Sequence, residues 1–232
     1  MGINLVQNGS NQYLSTSLPR TIDFGFGVQT TAGNCLIFTF LWGGGGGGLP
    51  SPTISDDAGN AYNVGFSNSY SFNDAIVKSW YALNALPCTI ITVGNLSGGQ
   101  TENPILLSGA EFSGVALSSA LDGSANSNAG GTASKDPSIG SFTTSQNGCL
   151  IYAACCDGTI IMTPGSGFTA LSGASSASPP ESLGDEYKIQ TTAGSINPNF
   201  SSGGVNCFWT GGGFALAPPR IVHSLPMMGM GR

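Results

Sequence analysis

Cys35-Leu36-Ile37-Phe38-Thr39-Phe40-Leu41-Trp42 decides the fold class. Seven of its eight residues are apolar, and it is stopped on both sides, by Ala32-Gly33-Asn34 before it and by the six glycines Gly43 to Gly48 after it. A run this short falls well below the roughly 20 apolar residues that a membrane-spanning helix needs. Its aromatic and β-branched content and its glycine boundaries read as a strand covered on both faces, in the middle of a packed or assembled body. A second run, Cys149-Leu150-Ile151-Tyr152-Ala153-Ala154-Cys155-Cys156, has the same character.

Outward from these two runs the chain echoes itself. Thr30-Thr31-Ala32-Gly33-Asn34-Cys35-Leu36-Ile37-Phe38 matches Thr143-Thr144-Ser145-Gln146-Asn147-Gly148-Cys149-Leu150-Ile151-Tyr152, with the cysteines 114 positions apart and one extra residue in the second turn. Each copy reads as a Thr-rich strand, a tight Asn/Gly turn and an apolar strand, the signature of a hairpin. Lys78-Ser79-Trp80-Tyr81 and Asp185-Glu186-Tyr187-Lys188 begin a second comparable pair. Each is followed by a β-run (88–93, 195–200) and by a closing aromatic strand (110–115, 208–216). Helical periodicity is absent, and strands are expected near 21–29, 34–42, 61–67, 75–83, 88–94, 105–113, 139–144, 148–156, 167–171, 184–190, 195–200 and 205–217.

The expected fold is therefore all-β: one jelly-roll-like β-sandwich over 1–218 with pseudo-repeated halves, about 1–117 and 118–218, two tandem small sandwiches being the alternative. Leu121 to Asp136 reads as a long surface loop inside one body. After Pro218-Pro219 the composition turns apolar and Met-rich, and residues 219–232 read as an extended C-terminal arm for assembly, carried by Arg220, Ile221, Val222, Leu225, Met227, Met228 and Met230.

Charge bounds the function. Asp, Glu, Lys and Arg make up 8% of the chain, against about 25% in an ordinary soluble domain. Such a surface is poorly protected against association, which points to life inside an assembly and to a homo-oligomer. Six basic residues against twelve acids leave no basic stripe for phosphates, so neither nucleic acid nor anionic membrane is an expected partner. Met1-Gly2-Ile3-Asn4-Leu5-Val6 lacks the basic start and apolar run of a secretory signal, so synthesis in the cytoplasm is expected. The six cysteines form no Cys-x-x-Cys pair and read as reduced, mostly buried thiols. Cys155 and Cys156 must face opposite sides of a strand.

No constellation looks like an active site, and neither an enzyme nor a cofactor or metal requirement is expected. The glycine run lacks the Lys-Ser/Thr of a phosphate loop and fits a hairpin tip or a close backbone approach. Asp56, Asp57 and Asn60 place three oxygen-bearing side chains on one turn, a candidate cation turn, but without the further acids of a calcium loop an Asx-type β-turn is the simpler use. His223, the single histidine, falls in the arm, which leaves a Ser-His-Asp apparatus nothing to be built on. Glu111, Asp122, Glu181, Asp185 and Glu186 could supply paired carboxylates. For Glu111 and Glu186, cross-strand pairing with Lys78 or Lys188 is simpler. Trp42, Trp80, Tyr81, Tyr187 and Trp209 could stack on sugars, but strand aromatics serve the core first.

The ordered set Asp57-Ala58-Gly59-Asn60-Ala61-Tyr62, Trp80-Tyr81-Ala82, Glu111-Phe112-Ser113-Gly114-Val115, Leu121-Asp122, Gly167-Phe168-Thr169 and Glu186-Tyr187-Lys188-Ile189 resembles poorly characterised β-sandwich proteins of tailed-phage virions and bacterial surfaces. The resemblance spans roughly 20–217 and implies a structural or adhesive module without catalytic residues. The expected function is a virion structural protein, most concretely a capsid decoration (cement) protein of a bacteriophage, with the major capsid protein as partner. The alternative is a carbohydrate-binding adhesin module at a phage tail or bacterial surface, with a glycan as ligand.

Overall fold

The computed structural model describes residues 2–13, 21–43, 50–70, 75–96, 104–128, 133, 135–158, 162–177 and 180–220. Every element among them is a strand, and every pairing is antiparallel. The first half holds β1 (Asn4–Tyr13), β2 (Thr21–Phe24), β3 (Cys35–Trp42), β4 (Thr53–Asp56), β5 (Asn63–Tyr70), β6 (Ala75–Ala82), β7 (Ile91–Gly94) and β8 (Ile105–Ser113). The second holds β9 (Leu121–Asn128), β10 (Phe142–Thr143), β11 (Cys149–Asp157), β12 (Thr163–Pro164), β13 (Thr169–Ala170), β14 (Ala174–Ala177), β15 (Pro180–Gln190), β16 (Ser195–Ile196), β17 (Phe200–Ser201) and β18 (Trp209–Leu216).

Both quoted runs sit at sheet centres. β3 pairs with β6 and β8 in a five-stranded sheet ordered β1-β8-β3-β6-β5, and β11 pairs with β15 and β18 in a six-stranded sheet ordered β13-β15-β11-β18-β9, where β14 also joins β15. Traced from β1 and from β9, the two large sheets have the same order. Each carries short strands on its outer face: β2-β7-β4 on the first, and the separate pairs β10-β16 and β12-β17 on the second. The result is four layers. Phe24, Phe38, Phe40, Trp42, Trp80 and Ile91 fill the space under β2-β7-β4. The inner faces of the two large sheets meet through Ile37, Leu41, Phe66, Tyr81, Phe112, Tyr152 and Phe214.

The halves contact each other reciprocally. β1 packs on β14 as β5 packs on β9, and β8 packs on β15 as β6 packs on β18. This exchange is what an isologous, two-fold-like contact requires. Two aromatic rings lock it. A Cβ on Gly65 of β5 would collide with the Phe214 ring of β18, and a Cβ on Gly212 of β18 would collide with the Phe66 ring of β5. Each ring thus lies in a groove that a missing side chain opens.

Three sequence expectations need correction. The Thr-rich segments do not form hairpins with the apolar runs: β2 pairs with β7 and β10 with β16, so each chain crosses from an outer layer to a large sheet at the turn. The two apolar runs also correspond in facing with a shift of one residue from the cysteine alignment. Gly33 (φ 83°) and Gly148 (φ 80°) hold the same left-handed position in the two turns, which makes Asn34 equivalent to Cys149 and Cys35 to Leu150. Cys35 accordingly faces inward and Cys149 outward, because a shift of one residue turns a strand side chain to the other face. Finally, the first part of the expected 121–136 loop is strand β9 along one side of β18.

Candidate functional site

The turn at Asp56, Asp57 and Asn60, read as an Asx-type turn with a cation as the lesser candidate, is built as a loop clamp. Asp56 Oδ1 accepts hydrogen bonds from the amides of Ala58 and Asn60, both at 3.0 Å, while Oδ2 accepts from Asn60 Nδ2 at 2.8 Å and the Tyr62 hydroxyl at 2.9 Å. Asp57 reaches the next loop, accepting from the Thr89 amide at 3.0 Å and its hydroxyl at 2.5 Å. Asn60 bridges to Leu86 through its carbonyl, which accepts from the Leu86 amide at 2.7 Å. Burial opposes the ionised form of Asp56, but its donors outweigh that and hold the carboxyl below its ordinary value. The Thr89 hydroxyl and amide do the same for Asp57. These oxygens are occupied by protein donors, and among the described residues no group of three or more His, Cys, Asp or Glu gathers as a metal site.

Three loops meet at this end of the first half, joined further by the Thr30 amide donating to the Cys88 carbonyl at 3.0 Å. They expose Val28, Leu86 and Ile90, at 68%, 56% and 47% of their full surface. The apolar side chains therefore stand on a frame fixed by hydrogen bonds.

Glu111, Asp122, Asp185 and Glu186, weighed as carboxylates for catalysis, are each held by their own donors. Glu111 is fully buried and accepts from Gln7 Nε2 at 2.5 Å, the Thr31 amide at 2.8 Å and Asn34 Nδ2 at 2.6 Å. Asp122 accepts from the Ser145 amide and hydroxyl, both at 2.8 Å, and from the Cys149 thiol at 3.3 Å. Asp185 and Glu186 are adjacent on β15 and point to opposite faces. The lysine pairing expected for Glu111 and Glu186 is absent: Lys78 donates to the Pro52 carbonyl and lies over Trp80, and Lys188 lies over Phe168. All six cysteines are buried and unbridged. Trp42, Trp80, Tyr81 and Trp209 are core residues.

The sequence did not point to the polar chain at the centre of the molecule. Between the large sheets the Tyr152 hydroxyl meets Thr39 Oγ1 at 2.6 Å, Thr39 donates to Ser79 at 3.0 Å, and Ser79 donates to the Phe38 carbonyl at 3.2 Å. Asp185 accepts from Ser108 and from the Gly173 amide, and burial pushes its carboxyl up to about 6. Thr39 and Ser79 within apolar strands were the available signal. Their partner, Tyr152, is 113 residues from Thr39.

Of the arm residues, Arg220 lines a cleft of about 700 Å³ with Ile3, Gly148, Ile189 and Pro218. Ile221, Val222, Leu225, Met227, Met228 and Met230 lie outside the described residues, as does His223. No family model matches this chain, and neither a curated protein nor a solved structure matches it.

Proposed function

We propose that the protein is a non-enzymatic virion structural protein, concretely a capsid decoration (cement) protein that stabilises subunit contacts of a tailed phage, built from a duplicated jelly-roll-like unit. The observation that carries this reading is the poverty of surface charge. The chain has 18 charged residues, 6 basic and 12 acidic, and Glu111, Asp157, Asp185 and Glu186 are buried. A surface left to Ser, Thr, Asn and Gly needs little desolvation of ions on association. Val28, Leu86 and Ile90 on their clamped loops supply apolar contacts whose ordering cost is already met within the fold. Its partners on this reading are copies of itself and the major capsid protein, in the virion.

The test is uptake by shells assembled from the major capsid protein alone. Saturable binding at a fixed ratio to shell subunits is expected, weakened at least tenfold by Leu86→Ser with Ile90→Ser while thermal unfolding stays unchanged. Shells that take up no protein overturn the reading. The carbohydrate-binding alternative loses support from the burial of Trp42, Trp80, Tyr81 and Trp209, which removes those rings as a sugar-stacking platform.

A further inference from the structure

Glu186 sits on β15 opposite Ala153 of β11 and Ala170 of β13, and its side chain is fully buried. Its Oε2 accepts a hydrogen bond from the Gly165 amide at 2.7 Å, and its Oε1 meets no donor. The segment that supplies that amide, residues 162–170, crosses the outer side of the six-stranded sheet from Met162 and joins the sheet's edge as β13. Met162 rests on Gly184, where a Cβ would come within 2.8 Å of the Met162 Cβ. Gly165 lies so close to the Asn199 carbonyl that a side chain would collide with it. Phe168 lies under the Lys188 ammonium, 5.5 Å from the ring centre.

The surroundings disfavour a carboxylate. On β15 itself the neighbours are Asp185, turned to the inner face, and Lys188, whose ammonium is held over Phe168. On β11 the titratable groups of this face are Cys155 and, two residues further, the buried acid Asp157, with Cys207 packed in the same cluster. β12 and β13 bring Thr163, Pro164, Thr169 and Ala170, none of which titrates. A buried anion with one neutral donor is expensive, whereas the protonated carboxyl keeps the Gly165 bond without a net charge.

We infer that residues 162–170 form a strap held shut by the protonated carboxyl of Glu186, and that loss of this proton to solvent releases the strap from β15. Release hydrates the carboxylate at the expense of the Gly165 bond and the cover that Met162 gives the cluster of Cys155, Phe200 and Cys207. Burial pushes the carboxyl up to about 8, so closure is tightest in acid and weakens progressively as pH rises towards that value. This rests on no reading of the protein's role in an assembly.

The test is amide hydrogen exchange of the full chain from pH 6.5 to 9, comparing wild type with Glu186→Gln at each pH so that the intrinsic pH dependence of exchange cancels. The amide side chain preserves an acceptor for Gly165 and cannot ionise. Over 162–170 the ratio of wild-type to variant exchange should rise by about tenfold or more between pH 6.5 and pH 8 and level off by pH 9, since each pH unit between the ordinary value and the folded value shifts the opening equilibrium by about a factor of ten. Peptides covering 36–41 should not differ. Equal rates over 162–170 at every pH, or equal loss of protection over 162–170 and 36–41, would overturn the inference. Should the variant fail to fold, the wild-type ratio of 162–170 to 36–41 across the same series decides: a constant ratio sinks the strap.

Discussion

The turns that lead into β3 and β11 occupy the same place in the two halves and solve the same problem with different residues. In the first, Glu111 reaches from β8 and accepts from the Thr31 amide and the Asn34 side chain. In the second, Asp122 reaches from the start of β9 and accepts from the Ser145 amide and the Cys149 thiol. Thr31 is equivalent to Ser145, and Asn34 to Cys149. What the architecture requires at the mouth of each central strand is an acceptor that ties the turn down, and it comes from the adjacent strand β8 in one half and from the edge strand β9, beyond β18, in the other. The settings differ: Glu111 is fully buried, whereas Asp122 retains partial exposure. The outer layers differ too, with one continuous sheet over the first half and two short pairs over the second.

The feature the halves share most closely is the exchange of Phe66 and Phe214 into the grooves at Gly212 and Gly65, and breaking it should have the largest effect. Gly212→Val would drive two branches into the Phe66 ring. A loss of about 4 kcal/mol or more is expected, at the upper end of overpacking costs, read from the urea midpoint. An unchanged midpoint would show that the halves are not interlocked there.

The two acids should differ next. Glu111→Ala leaves the buried Asn34 amide and two partly buried donors, from Gln7 and Thr31, without their acceptor and should cost about 3 kcal/mol, while Asp122→Ala, where water can replace the carboxylate, should cost about 1 kcal/mol. Equal losses in chemical denaturation would remove the distinction between a buried and a partly solvated cap.

A third difference is in pH response. Asp185 and Glu186, both in the second half, have folded values raised by burial to about 6 and about 8. A raised acid binds its proton more tightly in the folded state, so stability is fullest below the ordinary carboxylate range and declines as pH rises from about 4 to about 8. Asp56 and Asp57 in the first half and Asp122 in the second are lowered. For Asp56 and Asp122 hydrogen bonds outweigh burial, while Asp57 is lowered chiefly by Thr89. Their contribution is present above the ordinary value and disappears as pH falls through their folded values. Unfolding free energy should therefore peak in mild acid, and Asp185→Asn should flatten the decline between about pH 4 and pH 6. A profile rising steadily to pH 8 would contradict the burial of both acids.

The smallest effect sharpens the equivalence of the turns. Asn34→Cys places in the first turn the thiol that serves the second, and should cost under about 1 kcal/mol if the Glu111 carboxylate accepts from it as Asp122 does from Cys149. A loss as large as that of Glu111→Ala would show that the positions are not interchangeable.

The sheet centres were legible because Cys35 to Trp42 and Cys149 to Cys156 are apolar at nearly every position, as strands covered on both faces must be. β1 and β9 were not legible, and they occupy the same edge position in their sheets. Asn4-Leu5-Val6-Gln7-Asn8-Gly9-Ser10 and Leu121-Asp122-Gly123-Ser124 have the composition of loops, since an edge strand needs one hydrogen-bonding neighbour and no continuous apolar face. The clamp at Asp56 was legible as a turn because its donors lie within six residues. The role of Glu111 was not, its turn partners lying 77 and 80 residues away.

The amino-acid order by itself determined that this chain is all-β, which runs lie at sheet centres, and that its surface is nearly free of charge, because each follows from local composition and short-range periodicity. Which face each strand turns inward, which acid ties down which turn, and how Gly65 and Gly212 receive rings from the opposite half were decided by the tertiary structure. The reason is physical: a one-residue change of register reverses every side chain, and groups a hundred residues apart acquire a partner only when the two large sheets close on each other.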